Sequence, residues 1–103
     1  MSGQYGMKIN AERPIANCFN GDFMREIELD VGICVNFIHY LATLGETRLD
    51  YYEDFPRPFF KLDRPGYYIL KGIKDARLLK VYYSRASVTR AREALHAHIL
   101  AFN

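Results

Sequence analysis

The sequence has no tryptophan and only two cysteines, three histidines and four prolines among its 103 residues. Cys18 and Cys34 fall in no CxxC or Cys/His cluster, so neither a disulfide framework nor a structural zinc site is expected. Both thiols read as buried. His96 and His98 are two positions apart on a predicted helix, which points them to different faces and makes them a poor metal pair. His39 reads as structural or solvent-facing. GxGxxG, GxxxxGK[ST] and HExxH are all missing, and no Ser or Cys sits in a nucleophile signature. These absences point to binding rather than catalysis, with no cofactor and no metal. No apolar run approaches the ~18 residues of a membrane helix. Residues 1–6 lack the charged-then-apolar pattern of a signal peptide. The expectation is an intracellular protein, nuclear or cytoplasmic, with no membrane partner.

What is present is the composition of a folded chain. Half the residues are hydrophobic, 15% are aromatic and a quarter are charged. The length suits one domain with one core. Charge is divided unevenly along the chain. Residues 1–56 hold four basic against nine acidic residues, and residues 57–103 hold ten against three. A basic surface of that kind could meet phosphate or an acidic partner, and a solvated face is the plain alternative.

Residues 1–13 carry little apolar patterning and are expected to form a flexible arm or expression remnant, leaving 14–103 as the single domain. Residues 14–19 read as a first strand before the turn Asn20-Gly21-Asp22. Ile27, Leu29 and Val31 alternate with Glu26, Glu28 and Asp30, so this stretch either extends the sheet or leads into a helix. Cys34, Phe37, Ile38, Leu41 and Leu44 then follow helical spacing, with Asp30 placed to cap and Gly45 to terminate. Four strand-like runs come next, at residues 47–53, 59–62, 67–73 and 78–83, separated by Pro and Gly turns. Val88, Ala91, Leu95, Ile99 and Phe102 mark one face of a closing helix over 87–102, with Ser87 as its N-cap. The expected fold is α+β: strand, helix, four strands, helix, with both helices on one face of an antiparallel sheet and the other face open.

Tyr52-Glu53-Asp54-Phe55-Pro56-Arg57-Pro58-Phe59-Phe60-Lys61-Leu62-Asp63-Arg64-Pro65 is similar to a stretch of the TATA-box-binding protein family that combines Tyr, acidic residues, Phe-Pro-Gly, two apolar residues, a base and Leu, then Pro. Ile15-Ala16-Asn17-Cys18-Phe19 resembles that family's first strand, and residues 84–102 resemble its closing helix. The resemblance is to a single repeat, spanning roughly residues 14–103. It implies a curved sheet laid on the minor groove of A·T-rich duplex DNA, with a role in transcription initiation. Asn17 would read the groove and Phe55 would wedge between base steps. Phe19, Arg57, Phe59, Lys61, Leu70, Leu78 and Lys80 would share the concave face. Gly72 stands where the family has a second wedge Phe, and Lys80 where it has a groove-reading Thr. Because the family joins two repeats in one chain, a lone repeat would leave its first strand as an open edge, and a homodimer or a half of a two-repeat assembly is expected.

The alternation of Phe59 and Lys61 against Phe60 and Leu62, and of Leu78 and Lys80 against Leu79 and Val81, independently puts aromatic, aliphatic and basic residues on shared faces. Two alternatives stand beside DNA binding. One is an interaction or accessory domain that binds protein; the other is a small-ligand domain with a cavity lined by Tyr67, Tyr68 and Tyr82.

Overall fold

The computed structural model describes residues 7–15 and 23–102. Six strands and two helices follow in the order β1 (Ile9–Pro14), β2 (Met24–Leu29), α1 (Val35–Leu41), β3 (Arg48–Tyr52), β4 (Phe59–Arg64), β5 (Tyr68–Ile73), β6 (Leu78–Tyr83) and α2 (Val88–Leu100). The strands form one curved, open antiparallel sheet in the order β1-β2-β6-β5-β4-β3. The α+β expectation holds. From β2 onward the chain runs strand, helix, four strands, helix.

The strand directly before α1 is residues 24–29; of the first strand expected over 14–19, residues 16–19 lie outside the described residues. Ile27 and Leu29 are fully buried while Glu26 and Glu28 stay partly exposed, which is the period-two pattern of a strand with one covered face. Part of the stretch expected as an arm is also structured. Met7 is 3% exposed, and residues 9–14 pair with β2. Ionic anchors hold β1 in place. Glu12 is drawn toward Arg92 and His96 on α2, and the amide of Lys8 donates to the Asp30 carboxylate at 2.8 Å. Asp30, expected to cap α1, is thereby used on the arm. β1 also covers the edge of β2 that the sheet would otherwise leave open.

α1 is shorter than its apolar spacing suggests. The Ile33 amide donates to Ala76 at 2.8 Å and its carbonyl accepts from Asp75 at 2.7 Å, so the β5–β6 turn claims the backbone that a longer helix would use. Cys34 is exposed in consequence, against the expectation of a buried thiol, and Ile33 takes the core position. Thr43 and Thr47 hydroxyls donate to the carbonyls of Tyr40 and Ala42 and close the helix end.

Both helices lie over the same sheet face. Phe37, Ile38 and Leu41 from α1 and Ala91, Leu95 and Ile99 from α2 join Phe60, Leu62, Leu70, Leu79 and Val81 in one core. Each such large apolar side chain contributes about 1.5–3 kcal/mol relative to exposure. The helices are clasped by aromatic contacts: Tyr40 stacks on His98 at 4.0 Å and its hydroxyl donates to the His98 carbonyl at 2.6 Å. Burial pulls the His98 imidazole below its ordinary value, outweighing its hydrogen bond to the Tyr40 carbonyl. At the β4–β5 turn the Tyr67 amide donates to the Arg64 carbonyl across Pro65-Gly66, and Gly66 has φ +82°, the conformation the third turn position requires. Among the described residues, no helix is long and apolar enough to cross a membrane.

A candidate nucleic-acid interface on the open sheet face

Cross-strand register decides which side chains meet on the face away from the helices. Lys61 on β4 is paired with Lys71 on β5, and Lys71 is paired in turn with Lys80 on β6. The row continues to Glu26 on β2 and Arg13 on β1 at one end, and to Asp50 on β3 at the other. Directly opposed like charges are unfavourable in a sheet. The nearby carboxylates make their salt bridges to arginines. Arg13 lies 3.6 Å from Glu26 and 2.9 Å from Glu28, while Asp50 lies 3.7 Å from Arg48. Among the described residues Lys61, Lys71 and Lys80 make no salt bridge.

Beside the lysines runs a second row in which Tyr52 pairs with Phe59 and Phe59 with Ile73, leading on to Leu78 at the start of β6. All four are unusually exposed for large apolar residues, at 43%, 36%, 36% and 42%. Tyr52 and Phe59 stack with ring centroids 4.8 Å apart, and Phe55, on the β3–β4 loop, leans on Phe59 at 5.2 Å. On the other side of the lysines, Ile69 pairs with Tyr82, and the Lys71 ammonium sits 5.3 Å from the Tyr82 ring. The lysine row and the Tyr52–Phe59–Ile73–Leu78 row line a concavity of about 750 Å³ that also takes in Arg57 and Glu26.

Phe55, Arg57, Phe59, Lys61, Leu78 and Lys80 are therefore brought to one exposed surface. Leu70 is not. It is fully buried, because its register partners Leu62 and Val81 face the helices, and the exposed positions of β5 are Lys71 and Ile73. Gly72 also points to the covered side, where a Cβ would lie 2.6 Å from Phe60 Cε1; its lack of a side chain admits that ring. Asn17 and Phe19 lie outside the described residues. Sequence reasoning missed Lys71, Ile73 and Tyr52 because their place on this face depends on pairing between strands. The alternation of Ile69, Lys71 and Ile73 was the available signal.

A polar cluster sits on the covered side. The Glu12 carboxylate, with 4% of its side chain exposed, meets His96 Nε2 at 2.5 Å, Arg92 Nε at 3.0 Å and the Tyr83 hydroxyl at 3.2 Å. Burial pushes the Glu12 carboxyl up, and the hydrogen bonds and charges of His96 and Arg92 together bring it below the ordinary carboxylate value. Burial, and then the neighbouring Glu12 charge, push the Tyr83 phenol well up. This cluster ties β1 to α2. At the opposite corner Tyr67, Tyr68 and Tyr82 border an open depression of about 300 Å³ with Arg64 and Arg85. It is a surface feature, unlike the enclosed cavity the small-ligand alternative called for. Among the described residues no group of three or more His, Cys, Asp or Glu could hold a metal ion.

Comparison with family models, curated proteins and solved structures found no match for the chain.

Proposed function

We propose that this chain is a nucleic-acid-binding module that holds its ligand on the open face of the sheet. The observation that carries the proposal is the row Lys61–Lys71–Lys80: three cations in direct register, flanked by Asp50 and Glu26 but in no salt bridge among the described residues, next to exposed aromatic and aliphatic side chains. A polyanion with apolar base faces complements both features at once, since phosphates neutralise the lysines and bases cover the rings. The resemblance to a TATA-box-binding repeat supports the same surface. In that family the corresponding order of strands and helices leaves one sheet face to the DNA, and duplex DNA is the ligand it implies.

The test is a fluorescence-anisotropy titration with labelled DNA, as A·T-rich duplex, G·C-rich duplex and single strand, at two salt concentrations. Binding should weaken steeply with salt, with a slope corresponding to about three neutralised phosphates. Replacing Lys61 and Lys80 together by Glu should abolish it. If no salt-sensitive binding to any of these ligands occurs, the proposal fails.

A further inference from the structure

The order of charge and ring across the open face bears on the form of the ligand. A surface for the minor groove of a duplex needs an apolar centre with cations to either side, because phosphates line both walls of a groove about 6 Å wide. Here the order is reversed. The lysines occupy the middle row of the central strands, Phe59 and Ile73 lie on one side, and Asp63, Ile69 and Tyr82 on the other. Such a face offers one track of phosphate contacts beside one platform for bases, the Phe59 side. Neighbouring strands are about 4.8 Å apart, so the three lysines span about 10 Å, a single backbone segment crossing the sheet.

The rings argue the same way. Tyr52, Phe55 and Phe59 form an exposed cluster whose faces can serve as stacking platforms. Inside a duplex each base face is already covered by its neighbours, so a protein ring gains access only by wedging, at an unstacking cost of a few kcal/mol per step. The position where the resemblance would put a second wedge is Gly72, which has no side chain and faces the core. An unpaired base has a free face and pays no such cost.

We infer that the preferred ligand is single-stranded nucleic acid, its backbone crossing Lys61, Lys71 and Lys80 and its bases stacking on the Phe59 and Tyr52 side. The inference rests on the nucleic-acid function proposed above. Its test uses labelled single strands of about ten nucleotides, dT and rU, beside a hairpin duplex of A·T pairs, all at one salt concentration. The expected result is single-strand binding at least about tenfold tighter than duplex binding, and the two single-strand arms separate DNA from RNA. Phe59→Leu, which keeps apolar bulk and loses the ring, should weaken single-strand binding at least about fivefold, and Phe59→Tyr should retain it. Thermal melting checks that both variants fold, as expected for a side chain 36% exposed. Duplex binding equal to or tighter than single-strand binding would overturn this inference and leave the nucleic-acid function standing. Single-strand binding indifferent to Phe59→Leu would overturn the stacking role. Absence of binding in all three arms would remove both proposals.

Discussion

Asp50 stands directly opposite Lys61 in the β3–β4 ladder, yet the Asp50 carboxylate lies 3.7 Å from Arg48 and Lys61 has no ion-pair partner among the described residues. A sheet optimised for stability alone would pair those two charges. Lys71 is in a still less favourable position, with Lys61 on one side and Lys80 on the other. Lys71→Glu should therefore leave stability unchanged or raise it by up to about 1 kcal/mol, as two repulsive cross-strand pairs become attractive while the contact with the Tyr82 ring is lost. The same change should weaken nucleic-acid binding by at least tenfold. Urea denaturation and anisotropy on one preparation would measure both effects.

Leu70 and Leu78 differ in role although both are leucines on central strands. Leu70→Ala should cost about 2–5 kcal/mol, the usual penalty for a cavity at a fully buried site. Leu78, 42% exposed, should cost within about 0.5 kcal/mol when changed to Ala and should reduce ligand affinity. Chemical denaturation midpoints and binding titrations separate the two.

Gly72 is required by packing. Gly72→Ala would place a methyl group 2.6 Å from Phe60 Cε1 and 3.2 Å from Ile33 Cδ1, inside a filled core. The expected loss is about 1–3 kcal/mol. Adding Phe60→Leu, which frees room at that point, should recover part of it, and a double-mutant cycle should show the coupling.

Glu12 should make stability fall in acid. Its folded-state carboxyl lies below the ordinary value of 4.5, so its contribution is fully present above that value and is lost as pH falls through the lower folded one. Glu12→Gln should lower the melting temperature at neutral pH and flatten its decline between about pH 5 and pH 3. Melting curves across that range for both proteins test the sign. An unchanged acid profile would remove Glu12 as its source.

Removal of residues 1–14 should do more than trim the chain. It strips Met7 from the core, takes away the Glu12 contacts with Arg92 and His96, and leaves β2 as an unpaired edge. The shortened protein is expected to melt lower and to associate as concentration rises, through pairing of that edge. Light scattering over a concentration series provides the check.

The regular parts of this fold were legible from local pattern. Residues 78–83 read as a strand with Lys80 opposite in face to Leu79 and Val81, residues 87–102 carry one apolar helical face, and Pro65-Gly66 marks a turn whose glycine adopts positive φ. Phe59 and Lys61 could be assigned to the same exposed face by period alone. The alternation of Glu26 to Leu29 was also visible, although its role as the strand before α1 was not, since a short alternating run is compatible with several neighbours.

Local pattern by itself determined the number and kind of most elements and which residues within a strand share a face, because side-chain alternation and helical periodicity are properties of the nearby backbone. It did not determine sidedness where both faces of a strand are apolar, as in β5, where Leu70 is buried and Ile69 and Ile73 look outward. Nor could it place Met7 and Glu12, whose partners lie at the far end of the chain. The meeting of Lys61, Lys71 and Lys80 was decided by tertiary structure alone. Hydrogen-bond register between strands puts residues ten and nine positions apart into direct opposition, and side-chain periodicity along the sequence does not contain that relationship.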